Sequence, residues 1–328
     1  MAVYNPAGAD NVHIDVVLTN ISVAWPNSGF VGEALFPAVP VRKQSDKYYI
    51  FGREAWQVEP FGDFRAPGTV ANEIPGLAVS TDTYFAQEHS LQIPVTDEER
   101  DNADSPLAPD RDGTELVTSK ILLAREVAMH TMVTTAANYA SSNTQTNSGS
   151  TLWTDYVNST PIADFRTAVR TIHKQLFLEP NVAIVPYQCM SVLEDHPDFI
   201  ERIKYSERGI ITPEIVASVV GIANVIVPGV GYNATANPGQ AASLSYLWGE
   251  DVLLAYVAQR PGLKMPSFAY EFVWGYGAGM PQVVERWREQ PRKSDIIRVS
   301  RRYELKFVAL DVNDKPLAGY LIKSATAL

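Results

Sequence analysis

Apolar residues between positions 11 and 51 follow neither the helical period nor the strand period. Val17, Leu18, Ile21, Trp25, Phe30, Leu35 and Phe36 recur without a sustained face, while Pro26, Pro37 and Pro40 each fix φ and remove a backbone donor. The segment is predicted to run extended between short turns. Each large side chain gains roughly 1.5–3 kcal/mol on full burial, so an arm of this kind needs a covering surface, on its own body or on a neighbour. Residues 47–51 and 80–95 read as two strands, the second placing Thr83, Phe85, Gln87, His89, Leu91, Ile93 and Val95 on one side. The connection between them carries Pro60, Gly62, Pro67, Gly68, Pro75 and Gly76 and is far longer than an ordinary hairpin loop. That form suits a device that grips a neighbour.

Residues 114–139 form the clearest helix, with Val117, Ile121, Ala124, Ala128 and Met132 on one face and Leu122, Met129 and Val133 as a second stripe. Asp112 or Thr114 is the expected cap, and Glu115 suits the first turn. The polar run 140–151 reads as a solvated loop. A second amphipathic helix spans 161–176 through Ile162, Phe165, Val169 and Ile172, followed by a strand at 182–185 and a helix at 186–193. Pro197 separates two helical pieces. Thr212, Pro213 and Glu214 start a helix that Gly221 stops, and strands follow at 224–227, 243–248 and 252–257. Over 296–309, Ile297, Val299, Tyr303, Leu305, Phe307 and Ala309 alternate with Arg298, Ser300, Arg302, Glu304 and Lys306. This predicts a long strand packed on one side and wet on the other. A turn at 313–316 then returns residues 320–322 as its partner.

Charge changes the picture more than size does. Against 27 basic residues stand 37 acidic ones, and a net charge of −10 argues against broad adhesion to nucleic acid, which needs Lys and Arg to neutralise phosphates. The 328 residues, 46% hydrophobic and 20% charged, suit a globular protein of one or two domains. Neither a membrane span nor a secretory signal is expected, so the chain reads as made and used in a cytosol. The single cysteine, Cys189, excludes an intrachain disulfide, and five scattered histidines form no zinc pattern. No Walker loop occurs. Gly275, Gly277 and Gly279 precede Pro281 and a charged strand-like run, which is no dinucleotide fingerprint. Nucleophile elbow, zinc-protease helix and cysteine-pair motifs are also absent from the sequence. Asp97, Glu98, Glu99 and Asp101, and Glu194 and Asp195 beside His196, read as helix starts and caps rather than acid/base groups. No catalytic, cofactor or metal residue is therefore expected. Arg286, Arg288, Arg292 and Lys293 interleave with Glu285, Trp287 and Glu289, a mixture suited to salt bridges between chains.

Three segments in this order carry a resemblance: LTNISVAW with ALFPAVPVRKQSDKYYIF, EDHPDFIERIKYSERGIITPEIVASVVGI with the strand after it, and IIRVSRRYELKFVALDV. Together they resemble the major capsid protein family of tailed bacteriophages, over nearly the whole chain. The resemblance implies an α+β, Hong Kong 97-type capsid fold. Its parts would be an N-arm over 1–42, an E-loop hairpin over 43–98, a peripheral domain over 99–175 with spine helix 114–139, an axial domain over 176–282, and peripheral C-terminal strands over 283–328. It further implies self-assembly into hexamers and pentamers of an icosahedral head, formed in the host cytoplasm and resident in the virion. Expected partners are other copies of the chain, a portal, a possible decoration protein, and double-stranded DNA enclosed without tight binding. A separate scaffolding protein is expected because relatives with a built-in scaffolding region place it ahead of the arm, whereas here only about ten residues precede the arm's apolar stretch.

Intersubunit contact candidates are Val17, Leu18, Ile21, Trp25, Phe30 and Phe36 on the arm, Arg53, Trp56, Phe61, Phe64 and Arg65 on the loop, and Arg286 and Arg288 near the C-terminus. Some relatives join an E-loop lysine to a neighbour through an isopeptide bond, but no lysine lies between Tyr48 and Glu98. That crosslink is not expected here. Competing readings are an encapsulin-type nanocompartment shell, another virion component such as a tail or decoration protein, and an enzyme with an unrecognised site.

Overall fold

The computed structural model describes residues 13–14, 29–50, 64–71, 73, 80–104, 107–204, 210–233, 244–262, 265–275, 280–311 and 313–326. After β1 (His13–Ile14) comes a single helical turn, α1 (Gly32–Leu35), then β2 (Ala38–Val41) and β3 (Ser45–Ile50). β2 lies at a sheet edge, where Pro40 forfeits no inner ladder bond. β3 pairs antiparallel with β4 (Ser80–Phe85), and β5 (Gln87–Thr96) follows after Ala86 alone. The strand predicted as continuous over 80–95 is thus two. β4 belongs to a two-stranded ribbon and β5 to a large sheet, and the side-chain phase changes at the crossing: Tyr84, Ala86 and Val95 are buried, whereas Phe85 and Leu91 are exposed.

α2 (Asp97–Asp101) is closed by a capping box, Thr96 Oγ1 accepting from the Glu99 amide and the Glu99 carboxylate accepting from the Thr96 amide. α3 (Pro109–Thr134) starts five residues before the predicted position, because Pro109 is pre-set for a first helical turn and Asp110 and Asp112 favour the positive dipole end. Its buried face also differs from the expected one. Val117, Ile121, Leu122, Met129 and Val133 are buried, Ala124 and Ala128 are exposed, and Arg125 and Glu126 are buried in their place.

The polar run after α3 is no solvated loop. It contributes β6 (Thr144–Thr146) and the fully buried Asn143, whose amide donates to the Gly319 carbonyl at 3.0 Å and to Gln175 Oε1 at 2.8 Å. α4 (Pro161–Leu176), β7 (Val182–Ile184), α5 (Tyr187–Glu194), α6 (Pro197–Ile203), α7 (Pro213–Val220) and β8 (Asn224–Ile226) agree closely with the sequence reading. Gly221 ends α7 at φ 85°, a left-handed conformation that a Cβ would strain. A small ribbon, β9 (Gly231–Asn233) with β10 (Leu244–Tyr246), precedes β11 (Val252–Ala255), β12 (Ala269–Trp274), β13 (Gln282–Glu289), β14 (Ser294–Phe307) and β15 (Gly319–Lys323).

Two larger sheets result. β14 is the centre of the first: β13 and β12 pair along one of its edges and β5 along the other, with β2 flanking β12 and β1 flanking β13. α3 crosses this sheet through Val117 and Ile121, which pack on Ile93, Val95, Val284, Ile297 and Val299. The second sheet has the order β6-β15-β11-β7-β8. Its inner strands β15, β11 and β7 are largely apolar and buried, as are the inner faces of α4, α5 and α7. β15 therefore does not return onto β14 as predicted. Val252–Ala255 offers it a fully buried apolar ladder, while beyond Phe307 the long strand keeps only an isolated bridge, Leu310 to Pro316.

Candidate functional site

The arm is fastened at its root by two consecutive charged residues of α3. The Glu126 carboxylate accepts from the amides of Val31 (3.0 Å) and Gly32 (3.2 and 3.0 Å) and from Trp248 Nε1 (3.1 Å). A buried anion thus satisfies the free amides at the start of α1. Gly32 permits this approach, since a Cβ there would strike the Met129 sulfur and the Glu126 carboxylate. Arg125 reaches Glu33 on α1 at 2.8 Å and the fully buried Glu271 on β12 at 3.0 Å, while Arg301 on β14 meets the same Glu271 at 3.1 Å. Four elements are tied to one carboxylate-guanidinium network. Sequence reasoning missed it because charges on a helix are ordinarily solvated. The available signal was spacing: Arg125 lies four residues from both Ile121 and Met129, within the apolar stripe.

The hairpin has its own root. Tyr84 stacks on Phe272 with ring centroids 4.9 Å apart, and Tyr48 lies 5.1 Å from the same ring. The Tyr48 hydroxyl donates to Asp82 Oδ2 at 2.9 Å, and Lys306 pairs with that carboxylate at 3.4 Å. Burial, reinforced by Asp82, pushes the Tyr48 phenol far above its ordinary range, so it remains a neutral donor. Beyond this root, in the described part of the connection, Phe64 and Val70 are 83% and 85% exposed. Large apolar side chains this bare on a single chain gain energy only against another surface.

The other contact candidates divide sharply. Arg65 is exposed and Phe30 is half-buried against its own core. Phe36 is a correction: it is 1% exposed and meets Phe268 edge-on inside its own subunit, leaving no surface for a neighbour. Arg286 and Arg288 are about one-third exposed, and their charges are already matched within the chain. Arg286 pairs with Asp295 at 2.6 Å, and Arg288 pairs with Asp97 at 2.5 Å. Val17, Leu18, Ile21, Trp25, Arg53, Trp56 and Phe61 lie outside the described residues, as does most of the glycine run 275–279.

The acidic and histidine clusters serve structure. Asp97 is held below the ordinary carboxylate value chiefly by its bond to Arg288. His196 caps α6, its Nδ1 accepting from the Asp198 amide at 3.2 Å, which leaves Nε2 to donate to Ser159 Oγ at 3.0 Å. Burial keeps this imidazole below its usual pKa. Burial also pushes the Cys189 thiol up to about 12, far from a reactive thiolate. Among the described residues no group of three or more His, Cys, Asp or Glu side chains is placed to hold a metal ion.

No family model matches the chain. It is 25% identical over 312 residues to a major capsid protein of Burkholderia phage BcepMu, covering 94% of this chain and 95% of that one. It is 27% identical over 251 residues to a major capsid protein of Pseudomonas phage JBD67, covering 74% and 77%. Among solved structures, a phage-related protein from Bordetella bronchiseptica RB50 superposes with a TM-score of 0.74 at 27% identity, covering 96% of this chain and 98% of that one. A protein of Microbacterium phage Oxtober96, with a TM-score of 0.55 at 13% identity and coverage of 98% and 96%, shares the fold. Along nearly its full length the chain is similar in sequence to major capsid proteins of phages, and its mixed helix-and-sheet architecture is of the Hong Kong 97 type that phage capsid proteins share.

Proposed function

We propose that copies of this chain close into the icosahedral head of a double-stranded DNA phage by laying arm and hairpin across their neighbours. The supporting observation is the contrast at the hairpin, whose root is fastened by stacked rings and outside which apolar groups such as Phe64 and Val70 are bare; the root of the arm is likewise fastened, by a buried carboxylate. An obligate interface between such copies buries on the order of 2,000–5,000 Å² and needs no catalytic site. In this reading, α3 and the β14 sheet form the peripheral domain, the β11 sheet with α4 to α7 forms the axial domain, and β3 and β4 carry the E-loop. The N-arm ends near residue 30, where α1 joins the body, and β15 belongs with the axial strands. Hexamers and pentamers, a portal, a separate scaffold, a possible decoration protein and weakly held DNA complete the assembly in the host cytoplasm.

Electron microscopy of the expressed chain, with and without its neighbouring genes, tests this. Polyhedral shells are the expected outcome; a dispersed monomer under every condition overturns it. Phe64→Asp combined with Val70→Asp should abolish shells while leaving the far-ultraviolet circular dichroism of the subunit unchanged. Shells boiled in detergent should migrate as one monomer band, because no lysine lies between Tyr48 and Glu98 to crosslink.

A further inference from the structure

Ion pairing is nearly complete over the β14 sheet, but not on one face of the α4 module. Arg100, Arg125, Arg286, Arg288, Arg298, Arg301 and Arg302 all pair with carboxylates. Arg166, Arg170 and Arg202, by contrast, make no ion pair among the described residues and line one open groove of about 600 Å³ between α4 and α6. At 3.6 residues per turn, Arg166, Arg170, Lys174 and Phe177 fall on a single stripe of α4 and its cap. Phe177 is 55% exposed and held at φ 53°, a left-handed conformation that side chains with a Cβ rarely adopt. A cationic stripe that ends in a strained, outward aromatic ring is built for contact.

We infer that this α4–α6 face docks the acidic surface of a second copy of the chain. The inference rests on the shell reading above and names one of its contacts. Copies carrying a net charge of −10 repel one another, so they associate where unpaired cations on one meet unpaired anions on the next. Acidic surface is abundant on such a partner. Nucleic acid fits less well, because Asp198 and Glu201 form part of the same groove wall and would repel a run of phosphates. A mixed-sign wall suits a protein surface, and Phe177 supplies the apolar anchor that a purely ionic contact lacks.

The test compares the full-length wild type with Arg166→Glu/Arg170→Glu/Arg202→Glu and, separately, Phe177→Gly, by sedimentation and electron microscopy. All three substituted arginines lie outside the core, so both variants should remain folded subunits by circular dichroism. The triple variant should lose particles or need at least tenfold more protein to form them. Phe177→Gly, which relieves the left-handed strain, should raise the assembly threshold several-fold without lowering the subunit melting temperature by more than a few degrees. Wild-type assembly should be salt-sensitive across the Debye range, and that sensitivity should shrink in the triple variant. Wild-type particles with equal yields from the variants overturn the inference alone, whereas a wild type that never associates overturns the shell reading with it. Retention of a short DNA duplex by the wild type, lost in a triple variant that assembles normally, would assign the face to nucleic acid and overturn the inference.

Discussion

The two large sheets are held together by different physics. The β11 sheet is enclosed by Trp153, Phe165, Ile172, Leu193, Phe199 and the fully buried strand Val252–Ala255. The β14 sheet has a smaller apolar patch under α3 and, beside it, the Arg125, Glu271 and Arg301 network. Apolar packing is non-directional and tolerates volume-conserving change. A buried ionic network stabilises only while complete, because the removal of one member strands the others in a low dielectric. The ionic construction also coincides with the arm root: the same helix turn that binds Glu271 holds α1. Rigidity is therefore concentrated where a limb leaves the body.

The sharpest way to break this comparison is Glu271→Gln, which leaves Arg125 and Arg301 short of their shared charge and should cost about 3–5 kcal/mol in chemical denaturation. A loss under 1 kcal/mol would show the network to be dispensable. Glu126→Gln comes next, at about 2–3 kcal/mol, since it weakens the acceptor for the Val31, Gly32 and Trp248 donors. Limited proteolysis should then cut before residue 41 faster than in the wild type. In the apolar module Ile184→Val should cost only about 0.5–1.5 kcal/mol, and equal costs at Ile184 and Glu271 would erase the distinction.

Acid should act on both modules, since burial also holds His89, stacked on Tyr303 in the β14 sheet, below its usual pKa. Burial keeps His130 and His196 below the ordinary value of 6.5, so the unfolded chain takes up these protons before the folded one. The stability they contribute is present above about pH 6.5 and is lost as pH falls below it. Asp97, lowered by Arg288, works in a lower window: its contribution is present above the unfolded value of 3.8 and is lost as pH falls through the folded one. A fall of a few degrees in melting temperature between pH 7.5 and 5.5 is expected, and His196→Gln should flatten it. An unchanged profile in that variant would remove His196 from the account. The smallest effect belongs to Thr96→Ala, which opens the α2 capping box for about 0.5–1 kcal/mol.

Much of this was legible in the sequence. The bounds of α4, the start of α7 at Pro213, its stop at Gly221 and the long alternating run of β14 all follow from local rules: prolines that fit a first turn, a glycine free to adopt positive φ, and side chains that alternate in a strand. Local chemistry decides such features because neighbours along the chain suffice to enforce them. The arm and loop read in the sequence as segments too apolar and too proline-broken to serve as ordinary loops, an expectation that falls largely outside the described residues. Partnership at long range was decided elsewhere. Whether β15 joins β14 or β11, whether Arg125 and Glu126 face water or the core, and whether Phe36 serves a neighbour or its own subunit each depend on what lies opposite after the chain has folded. An apolar strand pairs equally well in sequence terms with any apolar edge, and Arg125 and Glu126 are buried because partners arrive from far along the chain, as Glu271 does for Arg125 and the Val31 and Gly32 amides do for Glu126. Periodicity along one segment carries no record of that arrival, so only the assembled tertiary structure could choose.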